Sequence, residues 1–318
     1  MGSKFMTHKP VRRSLFSDFR KQKYLFILLL PGTLYLLVNN YLPMIGTIIA
    51  FKKVNYVKGI FGSPWVGFDN FKFLFTTTDA YVITRNTVLY NLVFIALGLL
   101  FAVAFAVLLN EIRIRFVAKF FQSALFFPHF LSFVVVGYLV YSLLSIENGF
   151  VNKHLLSVLG KDPINWYNEP NYWPFILTSV HLWKSVGYGT VIYLAAIVGV
   201  DASYYEAALI DGASKWKQFT NVTLPSLVPI ITILTLMSIG HIFYADFGLF
   251  YQVPLNSGML YPTTLVIDTY VYNILTSPLH GDLGMATAAG LYQSLVGFVL
   301  VLLSNGLIRK INKENALF

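Results

Sequence analysis

Hydrophobic residues in this chain come in long unbroken runs. Six of them reach the roughly 20 residues that a helix needs to cross the hydrocarbon core of a bilayer. They cover residues 24–51, 86–110, 120–145, 172–200, 228–248 and 284–308. The pattern predicts an all-α, polytopic membrane protein with six transmembrane helices. Pro31 and Pro43 fall inside the first run and predict a kink there. That run is too long for a cleaved leader and no small-residue cleavage site follows it, so it is read as a retained span. The segments 52–85, 146–171 and 249–283 are longish and carry aromatics, Gly and Pro. They predict folded caps with interfacial helices. The expected division is a basic tail over 1–23, a six-helix transmembrane domain over 24–308 with a loop at 201–227, and a second tail over 309–318.

Charge sets the orientation. With six spans both termini share one side. That side carries Lys4, Lys9, Arg12, Arg13, Arg20, Lys21 and Lys23, then Arg113, Arg115 and Lys119, Lys215 and Lys217, and Arg309, Lys310 and Lys313. The opposite loops hold fewer basic residues, although the first, with Lys52, Lys53 and Lys58, is itself basic. The positive-inside rule therefore places both termini in the cytoplasm.

Composition agrees with the bilayer as solvent. The chain is 56% hydrophobic and 12% charged, where a soluble domain carries about a quarter charged residues, and the mean hydropathy is +0.65. The absence of cysteine excludes disulfides, thiolate metal sites and Cys nucleophiles. The net charge of +9 is accounted for by loop charge that sets topology, so no nucleic-acid partner is expected. The basic tail up to Lys23 is expected to rest on anionic membrane lipid.

The loop between the fourth and fifth spans holds the most specific pattern. It contains Tyr205-Glu206-Ala207-Ala208, then Asp211-Gly212-Ala213-Ser214, and ends in Val222-Thr223-Leu224-Pro225. Two short helices are predicted. Ser203 with Glu206 reads as a capping box, so 201–203 opens the first helix. Gly212 stops or bends it, Ala213 and Ser214 start the next turn, and Leu224-Pro225 closes the unit. The small side chains of Ala207, Ala208 and Ala213 allow another surface to come close. Trp216 and Phe219 share a helical face.

This pattern, Glu-Ala-Ala, three residues, Gly, nine residues, an aliphatic, any residue and Leu-Pro, resembles the signature of permease subunits of binding-protein-dependent ABC importers. Val222 stands where Ile is usual. Further segments are similar to the sugar-transporting branch: Trp65-Val66-Gly67-Phe68-Asp69-Asn70-Phe71, Phe127-Pro128 with Ser132-Phe133-Val134-Val135-Val136, Gly149-Phe150-Val151-Asn152, and Trp183-Lys184 with Ile192-Tyr193-Leu194. The closest likeness is to importers of oligosaccharides and polysaccharide fragments, such as alginate or pectin fragments.

The resemblance implies a type I importer permease in a bacterial cytoplasmic membrane. Its partners would be a second related permease, two ATPase subunits, an extracytoplasmic solute-binding protein and an oligosaccharide. A heterodimer of permeases is the family's usual state. The loop would be the coupling helix. Glu206 would meet a basic residue of the ATPase, Gly212 would give the bend, and Ala207, Ala208, Ala213 and Asp211 would line the contact beside Leu224 and Pro225. An alternative for Glu206 is that it caps its own helix. The chain would bind no cofactor, leaving ATP and Mg to the ATPase. It has no phosphate-binding loop, since Gly160-Lys161 is followed by Asp162 and lacks the upstream glycine.

Ionisable groups at membrane depth are functional candidates. Here they are His129, His181, Lys184, His241 and Asp246. His181 and Lys184 share a face and read either as a lining of the sugar path, with Lys184 suiting an acidic substrate, or as a structural hydrogen bond between helices. Aromatic candidates for stacking on sugar rings are Tyr138, Tyr141, Trp183, Tyr188, Tyr193, Tyr244 and Tyr251, among many that only pack or anchor at the interface. Asp268 and Asp282 read as solvated loop charge. No His-Glu-x-x-His, Gly-x-Ser-x-Gly or carboxylate pair in a span points to an enzyme. A secondary transporter or channel without an ATPase remains the alternative; it would favour intramembrane carboxylates, of which only Asp246 is available.

Overall fold

In lipid, long apolar runs satisfy their backbone polar groups by closing into helices. The computed structural model describes residues 23–277 and 282–311, and its only pairing of extended residues among these is an isolated bridge between Lys52 and Trp65. In chain order the main helices are α1 (Lys23–Phe51), α2 (Thr78–Glu111), α3 (Arg115–Phe130), α4 (Phe133–Leu144), α5 (Pro170–Val198), α6 (Ala202–Ile210), α7 (Lys215–Gly240), α8 (Phe247–Gln252), α9 (Ile267–Thr276) and α10 (Leu283–Ile311). Helices α1, α2, α7 and α10 are each long and apolar enough to cross a membrane. Counting each of two bent pairs, α3 with α4 and α5 with α6, as one span gives up to six among the described residues. The tail residues 1–22 and 312–318 lie outside the described residues.

Helix α1 passes through a π-turn at Leu37–Tyr41 just before Pro43, where the wider turn accommodates the missing N–H. It buries nothing until Ile49 and Ala50, which pack with its last turns against α10. The rest of the bundle is organised around α2, which lies along α5. At one end Tyr90, Phe94, Val136, Trp173, Leu177 and Leu249 form a buried cluster. At the other, Ala102 and Ala106 lie one turn apart and admit Tyr193, Ile197 and Leu227.

The third expected span, 120–145, is not one helix. Helices α3 and α4 meet at 100°, because Phe127-Pro128 tightens into a 3-10 turn, Leu131 is extended and Ser132 caps α4 through Val135 N–H. The break exposes carbonyls that a lipid environment cannot satisfy. Lys184 from α5 supplies the donor: its Nζ lies 2.8 Å from the His129 carbonyl and 2.6 Å from that of Leu131. Close by, α3 rides on Gly187, where a Cβ would fall 1.9 Å from the Leu125 carbonyl oxygen.

The caps are folded, as their composition predicts, and are stitched by side chains reaching backbone carbonyls. Asn91 donates to the carbonyls of Ile242 and Tyr244 at 3.0 and 2.9 Å. Asn70 donates to those of Ala50 and Lys52. Asp268 is not solvated loop charge. Its Oδ2 accepts from Ala245 N at 2.8 Å and from Gln293 at 3.2 Å, joining α9, α10 and the turn after α7. Burial there pushes its carboxyl above the usual carboxylate range.

Candidate functional site

Residues 201–218 of the loop fold into an elbow at the end of the bundle, while Phe219 and Leu227 beyond it pack against α2 and α5. The elbow's first helix, α6, is opened by Asp201, whose Oδ1 accepts from Ser203 N at 2.9 Å. The expected Ser203–Glu206 capping box is therefore absent: Ser203 sits two residues inside the helix, where its hydroxyl cannot reach the orphan donors. The Ser203 contacts hold the Asp201 carboxyl below its ordinary range. At the other end Gly212 adopts φ +70°. The Gly212 N–H bonds to Leu209 O and the Ala213 N–H to Ala208 O, which is the six-residue closure that a left-handed glycine permits. Ser214 then caps α7 through Lys217 N–H.

Leu224-Pro225 does not close the elbow. Helix α7 runs on as a π-turn at Phe219–Thr223 and continues through Pro225, which stands at the start of the following α-segment. The π-turn widens the ladder so that the prolyl ring fits without breaking the span. Two contacts that the sequence pattern does not show brace the elbow from within, Tyr205 Oη with Thr223 Oγ1 at 3.0 Å and Gln218 Nε2 with Ala213 O at 3.1 Å, and a third, Lys215 with Glu111 at 2.9 Å, ties it to the end of α2. Two of the three pair residues 18 and 104 positions apart, which leaves no local signature.

The outer surface of the elbow is apolar and open. Ile210 is 86% exposed and Trp216 71%, with Leu209 and Tyr204 also exposed. Glu206 is exposed and, among the described residues, makes no hydrogen bond or ion pair, so its carboxylate is not engaged in capping α6. Ala207 and Asp211 are exposed, and Ala208 and Ala213 are half-buried where the two helices turn. Trp216 and Phe219 sit together, ring centroids 5.5 Å apart.

The intramembrane candidates do not form one constellation. Tyr188 and Tyr193, with His241, Ser185 and Gly189, line an open groove of about 510 Å³ between α2, α5 and α7. Trp183 lines a different hollow of about 470 Å³ between α2, α3 and α5. His181 stacks on Phe94 at 3.7 Å, and His129 stacks on Tyr188 at 5.0 Å. Lys184 has two of its donors committed to the α3 break and lies 4.9 Å from the Phe133 ring centroid. Tyr244 bonds Ser294 at 2.6 Å, Tyr141 lies beside Tyr167, and Tyr138 is exposed on α4.

A bundle with a broken third span and a projecting two-helix elbow defines a class, and the sequence comparisons agree with it. Residues 95–313 match the binding-protein-dependent transport system inner membrane component family, and the chain belongs to that family. It is 36% identical to the polygalacturonan/rhamnogalacturonan transport system permease protein YteP of Bacillus subtilis strain 168, over 96% of this chain and 94% of the relative. It is 34% identical to protein LplB of the same strain, over 93% and 91%. Among solved structures, a bacterial ABC transporter involved in the import of the acidic polysaccharide alginate contains a chain that superimposes with a TM-score of 0.84 at 32% identity, covering 94% of this chain and 99% of that one.

Proposed function

We propose that this chain forms half of the membrane path of an ATP-driven importer for an oligosaccharide handed over by an extracytoplasmic binding protein. The elbow carries the reading: a rigidly closed pair of short helices, apolar outside and with a free carboxylate at Glu206, is shaped to be gripped and moved by another subunit. Two copies of an ATPase would supply that grip, one under this chain and one under a second, related permease. ATP and its Mg would stay on those subunits. The unburied length of α1 offers apolar surface for the second permease. The elbow then faces the cytoplasm, with both termini, as the basic residues favour. Closure of the ATPases would push the elbow, and a loaded binding protein would bias the bundle by its differential affinity for one state.

An acidic substrate is favoured by the full-length relatives for polygalacturonan/rhamnogalacturonan and for alginate. Lys184 supports it less than the sequence reading expected, since its ammonium is engaged with carbonyls. The test is reconstitution of the chain with its ATPase and permease partners in proteoliposomes. ATP hydrolysis should rise several-fold with binding protein carrying a uronic oligosaccharide, and Glu206→Lys should abolish both the rise and co-purification with the ATPase. Uptake without ATP would instead make the chain a secondary transporter.

A further inference from the structure

At the end of the bundle opposite the elbow, three rings from two helices meet. Phe247 and Tyr251 of α8 stack at 4.9 Å and 18°, and Tyr272 of α9 lies 4.9 Å from Phe247 and 5.1 Å from Tyr251. None of the three is buried, and Tyr272 is 38% exposed. Rings that served only as packing would close their faces inside the core, as Tyr90, Phe94 and Phe250 do beneath them.

The surroundings of the trio are polar in a particular way. Asn256 Nδ2 donates to Asn273 Oδ1 at 3.0 Å, Asn273 Nδ2 donates to Tyr261 Oη at 3.1 Å, and Tyr261 Oη donates to Asn256 Oδ1 at 3.2 Å. This ring of amides and phenol holds a turn in which Leu255 and Asn256 both adopt positive φ, 55° and 47°. Such backbone is costly for a non-glycine residue, above all for leucine, and persists only where the surroundings fix it. On the other side, Gly248 of α8 lies flat on Phe133, where a Cβ would fall 2.4 Å from the ring. The Lys184 ammonium sits over that same ring.

Rings beside amides and hydroxyls match one ligand chemistry well. A pyranose has a face of weakly positive C–H groups that rests on the negative face of an aromatic ring, and a rim of hydroxyls that pairs with amide and phenol groups. The geometry points to Phe247, Tyr251 and Tyr272 as a stacking platform for a sugar unit at the mouth of the path, receiving the saccharide as it leaves the binding protein. This rests on the importer reading above and names where the substrate first touches this chain.

The test uses the reconstituted complex in proteoliposomes, with an oligogalacturonide-loaded binding protein as the probe. Tyr251→Ala and Tyr272→Ala should each raise the loaded-protein concentration needed for half-maximal transport by about five- to tenfold, which is the scale of one lost aromatic contact. Tyr272→Phe should keep most of the wild-type behaviour, and Tyr272→Leu, which preserves apolar volume, should not; that pair carries the test should an alanine variant fold poorly. Half-maximal concentrations within twofold of wild type in Tyr272→Leu would overturn the platform while leaving the importer intact. Equal weakening of empty and loaded binding protein would also overturn it, because the rings would then be a protein-docking surface. Failure of the wild-type complex to respond to any loaded binding protein would bring down the importer reading itself, and the platform with it.

Discussion

At the scale of single residues, the polar groups inside this bundle act mainly on exposed backbone. Lys184 shows this most clearly. Its removal in Lys184→Met leaves the His129 and Leu131 carbonyls unpaired at a break in the helix, and an acceptor left without a partner where lipid keeps water away costs about 1–3 kcal/mol. Thermal unfolding of the purified protein in detergent should show that loss, with Lys184→Arg largely restoring it. Unchanged unfolding, with a lost preference for uronic substrates, would instead assign Lys184 to the path. Asp268 gives a second expectation, in pH. Burial raises its folded-state carboxyl above the unfolded value, so the native state holds the proton to higher pH. Stability then falls as pH climbs from the ordinary carboxylate range through the raised value, and levels off above it. Unfolding curves measured across that interval should lose this slope in Asp268→Asn. Neither role is legible in sequence, where a lysine in a span reads equally as path or brace and an aspartate between spans reads as solvated.

Elements show a different balance. The six apolar runs and the two-helix elbow were readable, because length, hydropathy and a left-handed glycine are local properties. The break in the third run was not. Pro128 marks a tightening, but the carbonyls freed by a 100° turn within an apolar stretch are met by a lysine that arrives from α5, far away in sequence. The cap of α6 moved from Ser203 to Asp201 for a similar reason: both residue types cap well, and the choice depends on where the chain leaves α5. Gly212 is where the elbow is most open to test. Its φ of +70° costs an alanine about 1–2 kcal/mol, and a Cβ there meets nothing within 4 Å, so the penalty is conformational and not steric crowding. Gly212→Ala should lower binding-protein-stimulated ATP hydrolysis about tenfold while the chain still inserts and folds, and Gly212→Asn, which tolerates this backbone, should recover most of it. Equal activity of glycine and alanine would mean that the elbow does not transmit force through that turn.

For the whole molecule, the question is which end of the bundle the elbow occupies. Helix α2 alone is 34 residues long, about 51 Å at the helical rise, so it crosses the hydrocarbon core with turns to spare. One of its ends is tied to the elbow through Glu111 and Lys215, and the other meets the caps through Asn86, whose amide donates to Leu265 O. Elbow and caps thus sit at opposite ends of α2, and with α2 laid across the bilayer a single measurement orients both. These 318 residues contain no cysteine, so single introduced thiols report without background. Lys217→Cys places one on the exposed elbow, and Val158→Cys places one at an 86% exposed position between α4 and α5, at the other end. In intact cells a membrane-impermeant maleimide should label Val158→Cys within minutes and leave Lys217→Cys unlabelled until the membrane is opened. The reverse pattern would put the elbow outside, away from cytoplasmic ATP, and a lever that no ATPase can reach cannot drive import.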